Sequence, residues 1–133
     1  MKLAQTAAAL TLFALMGNAY ADTDTATCPP IASIKQEASG DGYTYLAPGP
    51  NGLNWEGLNP QAQVSYLAAS QFKNAKYKNE TQAVICSYEG AGDAAVRVTL
   101  KPLKDWKKAP NTSWKDVECN ASDISQCSFT YTK

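Results

Sequence analysis

Residues 82–102 read QAVICSYEGAGDAAVRVTLKP and carry the strongest structural signal in the chain. Side chains alternate between the two faces of a β-strand, and two runs in this stretch each place an apolar set on one face. The segment between the runs contains two glycines, which accept the positive φ angles of a chain reversal. Pro102 has no backbone N–H, so the second strand should end before it. The stretch predicts an antiparallel hairpin whose buried face consists of Val84, Cys86, Tyr88, Val96, Val98 and Leu100.

Three other segments carry the strand pattern. They are residues 43–46, which are aromatic and β-branched, residues 72–77, and residues 127–132, where apolar and hydroxylated side chains alternate. Residues 31–38 fit a helical spacing, and a strand over residues 31–36 is an open alternative. Asn59-Pro60 resembles a helix start, with an extended segment over residues 63–69 as its alternative.

Proline and glycine interrupt residues 48–58 and 101–115, so both segments are predicted to be loops. The expected fold class is therefore α+β to mainly β. It is a small single domain built on an antiparallel sheet of four or five strands, with one or two short helices.

The first 21 residues have the pattern of a secretory signal peptide. Lys2 is basic, residues 3–16 are rich in alanine and leucine, and Ala19-Tyr20-Ala21 has the small-x-small form of a cleavage site. A membrane anchor would need about 20 apolar residues, more than this interrupted run offers. We expect cleavage after Ala21, and a secreted or periplasmic product that has no transmembrane segment. The product would be one disulfide-stabilised domain over residues 22–133.

All four cysteines follow the expected cleavage site. An even number of cysteines in an exported chain predicts two disulfides, each contributing roughly 2 to 4 kcal/mol. Three pairings are possible, and we favour Cys28 with Cys86, in the buried hairpin face, and Cys119 with Cys127. The chain contains no histidine and no Cys-x-x-Cys pair. We therefore expect neither a metal nor a cofactor.

Charge is unevenly distributed along the chain. The 12 basic and 12 acidic residues cancel, but residues 22–70 are mainly acidic and residues 71–115 mainly basic. Residues 101–115 combine lysines with two tryptophans, which suits contact with an anionic partner. The alternative is that both tryptophans anchor the core and the lysines keep a loop in water. The candidate binding residues are Trp55, Lys104, Trp106, Lys107, Lys108, Trp114 and Lys115.

The absence of histidine removes the usual catalytic triads and dyads. Paired carboxylates could still cleave a glycan, and Glu37, Asp41 and Glu56 lie among turn residues near Trp55. A carbohydrate-active enzyme would use Glu56 or Asp41. The function expected first is a non-enzymatic binding domain for an unknown protein, glycan or anionic lipid. Nucleic acid is not an expected partner, because the net charge is near zero and no binding motif is present.

Several markers resemble the layout of a family of small exported bacterial proteins of unknown function. They are Cys28-Pro29 after the signal, Trp55, Phe72 with Ala75 and Tyr77, and Cys86-Ser87-Tyr88 ahead of a valine-rich strand. The resemblance implies export and a compact domain, and it assigns no site residues. The size, cysteine content and β-rich pattern are also similar to periplasmic lysozyme-inhibitor domains, although their inhibitory loop motif is not found here. Inhibition of a host or competitor enzyme is therefore the alternative function.

Overall fold

A computed structural model describes residues 23–132, and these residues form two antiparallel sheets. The strands are β1 (Thr23–Ala26), β2 (Lys35–Ser39), β3 (Gly42–Pro48), β4 (Asn54–Asn59), β5 (Gln71–Lys78), β6 (Ala83–Glu89), β7 (Ala95–Leu100), β8 (Lys104–Lys108), β9 (Trp114–Lys115), β10 (Glu118–Asn120) and β11 (Phe129–Thr132). Within this range the one α-helix, α1, spans Tyr66–Ala69, and 3-10 turns lie at Ile31–Ser33, Pro50–Gly52 and Ile124–Cys127.

The expected fold class is wrong in its number of strands and in its helices. One sheet of four or five strands with short helices was predicted, whereas the described residues form sheets of eight and three strands with a single helical turn. Both segments predicted to be loops contain strands, because Pro48 ends β3 and Gly57 is accommodated inside β4, so neither residue excludes extended structure. Residues 48–58 contain most of β4, and residues 101–115 contain β8 and β9.

The helical expectations fail for two different reasons. Over residues 31–38 the helix is limited to one 3-10 turn, because β2 pairs with β3 across the two-residue turn Gly40-Asp41. Gly40 has φ 62°, the left-handed value that glycine accepts without steric cost. After Asn59, the side-chain oxygen accepts a hydrogen bond from the Gln61 N–H, but the chain continues through turns and reaches helix only at α1.

The predicted hairpin is confirmed as β6 and β7. Its apolar residues face one another across the two strands, and none of the six is more than 2% exposed. The registered pairs are Val84 with Leu100, Cys86 with Val98, and Tyr88 with Val96. The second strand ends at Leu100, and a cis Lys101–Pro102 peptide follows.

The eight-stranded sheet joins two meanders in the order β2-β3-β4-β7-β6-β5-β10-β9. β4 and β7 connect them through the pair Glu56 and Thr99. Gly57 permits the close approach, because a Cβ atom at this position would lie 2.0 Å from the Arg97 carbonyl oxygen.

The three-stranded sheet has the order β1-β11-β8 and shares one hydrophobic core with the larger sheet. Phe129 and Tyr131 of β11 are buried in that core. The predicted disulfide pairing is confirmed. Cys28 bonds Cys86 and ties the N-terminal segment to β6, whereas Cys119 bonds Cys127 and ties β10 to the turn before β11.

The predicted signal peptide and its cleavage site lie outside the described residues. Within residues 23–132, no helix has the length and hydropathy that crossing a membrane requires.

Candidate functional site

The lysine-rich segment forms β8, a free edge of the three-stranded sheet. Its pairing partner is β11, with Lys108 opposite Phe129, Lys107 opposite Thr130 and Lys104 opposite Thr132. Three residue steps of β8 match two of β11, so β8 carries a bulge. Asp105 lies in the bulge with φ 52°, a left-handed conformation that aspartate tolerates better than most residues.

The three β8 lysines are exposed and have no acidic partner in the described part of the chain. The side chains of Lys104, Lys107 and Lys108 are all exposed to solvent. Among residues 23–132 the one ion pair within 4.0 Å joins Lys76 Nζ to Glu118 Oε2, at 3.9 Å. The ammonium groups of β8 are therefore available to an anionic ligand.

An aromatic cluster holds β8 against the larger sheet. The ring of Trp106 stacks on that of Tyr77 in β5, with centroids 4.4 Å apart and planes 4° apart. Trp106 also meets Trp114 edge to face, at 4.9 Å. The Trp114 Nε1–H donates a hydrogen bond to the Ser128 carbonyl oxygen, at 2.9 Å. These contacts fix the position of the β8 backbone, so its lysines project from a rigid strand.

The structure separates two of the predicted binding residues from this cluster. Trp55 lies in β4, is 1% exposed and belongs to the core, so a ligand has no access to its ring in this conformation. Lys115 lies in β9 of the larger sheet, opposite Glu118. The predicted residues that do come together are Lys104, Trp106, Lys107 and Lys108 on β8, with Trp114 in contact with Trp106.

Two of the three carboxylates of the enzyme alternative share one cleft, and the third, Asp41, does not. Glu56 and Glu37 line a shallow cleft of about 420 Å³ on the outer face of the larger sheet. Asp41 lies in the turn between β2 and β3 and is not part of the cleft wall. Trp55 points into the core, on the opposite side of β4 from the exposed Glu56. Glycan cleavage stays a prediction.

Metal binding requires several ligating side chains at one point. Within residues 23–132 the structure contains no group of three or more histidine, cysteine, aspartate or glutamate residues placed to hold a metal ion.

The sequence matches the family described as "Protein of unknown function (DUF3757)" over residues 22–130. The chain belongs to this family. The expected resemblance to a family of unknown function is confirmed. The family description states no activity, so it transfers no role to any residue of this DUF3757 domain. No curated protein and no solved structure matches the chain.

In this DUF3757 domain Tyr77 and Ser128 position the tryptophans, and the sequence pattern does not indicate either role. Tyr77 lies at the end of a predicted strand and is noted only as a marker of the family resemblance. Its stacking with Trp106 joins strands from two different sheets, and such a contact leaves no trace in a local pattern.

Proposed function

We propose that the protein is an exported, non-enzymatic binding domain that contacts an anionic partner through the β8 lysines. The observation that carries the proposal is the set of three exposed ammonium groups on one anchored edge strand, without a carboxylate partner among the described residues. The strand holds the three lysines close together, so their ammonium groups can act on one anionic surface at the same time. Two disulfides suit a chain that folds in an oxidising compartment, which supports the export part of the proposal.

The ligand chemistry is a surface of phosphate, carboxylate or sulfate groups. Phosphatidylglycerol vesicles and dextran sulfate represent the lipid and polysaccharide sources of that chemistry. Each lysine near an anionic surface contributes about 1 kcal/mol. We therefore expect Lys107→Glu with Lys108→Glu to weaken binding by more than roughly tenfold. Co-sedimentation with vesicles and titration calorimetry with dextran sulfate would measure the loss.

The matched control is Lys73→Glu with Lys78→Glu, which changes the net charge equally on exposed positions of β5. This control should retain most of the affinity, since β5 belongs to the other sheet. Binding should also weaken as salt rises, because the Debye length falls from about 10 Å at 0.1 M to about 3 Å at 1 M. Equal losses in both double variants, or an affinity that salt leaves unchanged, would argue against a β8 contact.

The other two functions stay predictions with direct tests. Glycan turnover that Glu56→Gln abolishes would contradict the non-enzymatic part of the proposal. Inhibition of an enzyme is tested by adding the protein to lysozymes and proteases and measuring their residual rates.

A further inference from the structure

Strand β2 is a free edge of the eight-stranded sheet, and although it carries Lys35 and Glu37 it has neither the bulge of β8 nor the short length of β9. β8 carries three lysines and a bulge, and β9 is two residues long. β2 has five residues, no proline and an unbroken register with β3. An edge strand of this kind is a template for pairing with another strand.

The backbone groups that β2 offers follow from the hairpin geometry. A two-residue turn makes its flanking residues, Ser39 and Gly42, a hydrogen-bonded pair. In an antiparallel ladder such pairs alternate, so Lys35 and Glu37 also direct their N–H and C=O groups to β3. Gln36 and Ala38 therefore direct theirs to the free edge, about 7 Å apart along the strand.

We propose that β2 pairs antiparallel with β2 of a second copy of the chain, about a two-fold axis at Gln36. Each Gln36 then exchanges two backbone hydrogen bonds with its symmetry mate, and each Ala38 N–H meets an Ile34 carbonyl. Lys35 lies opposite Glu37 of the second copy, and the symmetry makes this ion pair twice. The sheet becomes continuous through the dimer.

Charge selects this register over its nearest competitor. An axis at Glu37 would also allow four backbone hydrogen bonds, through Gln36 and Ala38. It would place the two Glu37 carboxylates directly opposite each other in a non-hydrogen-bonded pair, where side chains are closest. Like charges in that position are destabilising, whereas the Gln36 register converts the same charges into two attractive pairs.

Exposed apolar side chains flank the β2 edge on both faces of the sheet. On the outer face Leu46 is 47% exposed and pairs directly with Lys35. On the inner face the Gln36 Nε2 donates to the Val64 carbonyl oxygen at 3.1 Å, and Val64 is 67% exposed. Two residues with exposed apolar side chains thus contact β2, Leu46 through strand pairing and Val64 through its carbonyl oxygen.

A charge swap tests the register. Analytical ultracentrifugation of the wild-type mature protein should show a concentration-dependent dimer. Lys35→Glu and Glu37→Lys should each weaken dimerisation by roughly tenfold, since each places like charges opposite one another twice. The double variant carrying both changes restores opposite charges and should dimerise like the wild type. A protein that stays monomeric at every concentration, or a double variant that is not rescued, would overturn the proposal.

Ala38→Pro provides the independent variant, because it removes an edge N–H that β3 does not use. Its circular dichroism should match that of the wild type, whereas its dimer should be lost. A persistent dimer would place the interface elsewhere and refute the pairing. The inference does not depend on the proposed function, and Lys107→Glu with Lys108→Glu should leave dimerisation unchanged.

Discussion

At the scale of single residues, the junction of the two meanders depends on the missing side chain of Gly57. The Cβ of any other residue there would be placed 2.0 Å from the Arg97 carbonyl oxygen, far inside van der Waals contact. That oxygen belongs to the backbone of a central strand and has little freedom to move. A glycine is needed at position 57 because β4 and β7 approach closely there. Its backbone φ angle would not by itself require glycine.

Gly57→Ala should therefore lower the free energy of unfolding by roughly 3 kcal/mol, the upper end of the usual cost of overpacking. Gly92→Ala is the control, because Gly92 has open space around its Cβ position and a φ of 66°. The control should cost about 1 kcal/mol from its left-handed backbone alone. Urea denaturation of both variants provides the comparison, and a loss at Gly57 no larger than at Gly92 would contradict the steric account.

At the scale of secondary-structure elements, β8 combines one anchored aromatic side chain with exposed lysines on either side of it. Trp106 is half-buried between Tyr77 and Trp114, whereas Lys107 and Lys108 beside it are exposed. Lysines and a bulge are features that keep an edge strand from pairing with other chains. The same features that protect β8 also give it the charge on which the proposed binding depends.

Trp106→Ala should destabilise the fold by about 2 kcal/mol, below the loss for a fully buried tryptophan because the ring is half-buried. Trp106→Phe retains an aromatic face against Tyr77 and should cost less than half as much. Thermal and urea unfolding would measure both. An unchanged stability in Trp106→Ala would mean that the indole does not anchor β8.

A strand could be predicted from the sequence when its alternation was regular and its pairing partner lay close by in the chain. The β6 and β7 hairpin was predictable because its alternation is unbroken and its turn is local. β4 was missed because its outward side carries Leu58, which is 64% exposed and obscures the alternation around the buried Trp55. β8 was missed because the bulge at Asp105 shifts its alternation and lysines occupy most of the strand.

The candidate site was predictable to the same extent. The β8 lysines were found because they lie within five residues of one another in the sequence. The burial of Trp55 and the stacking of Trp106 on Tyr77 depend on which strands become neighbours. Strand order in the two sheets is set by long-range packing, which local periodicity does not encode.

At the scale of the whole molecule, two disulfides of very different span stabilise one core. Cys28 and Cys86 are separated by 58 residues, whereas Cys119 and Cys127 are separated by 8. All four cysteines are at most 1% exposed, so replacing either pair disturbs a buried site to a similar degree. The difference between the two pairs should therefore mainly reflect the loop that each one closes.

Loop entropy gives a contribution of about 4 kcal/mol for the longer span and about 2.5 kcal/mol for the shorter. Cys28→Ala with Cys86→Ala should accordingly lower the urea midpoint further than Cys119→Ala with Cys127→Ala. The two double variants serve as controls for each other. The loop-entropy account would be contradicted if Cys119→Ala with Cys127→Ala unfolded at the same urea concentration as the other double variant, or at a lower one. The local tie that Cys119–Cys127 makes between β10 and the turn before β11 would then matter more than the length of the closed loop.

The position of β11 between β1 and β8 sets the order in which the domain can be completed. Thr23 of the first described strand pairs with Thr132 of the last, and β8 pairs on the other side of the same strand. In a chain that emerges N-terminus first, β1 therefore has no strand to pair with until β11 has emerged. In such a chain the three-stranded sheet forms last, because both of its strand pairings involve β11. Since Thr23 and Thr132 are paired, fusions attached before β1 and after β11 would leave the domain from the same side.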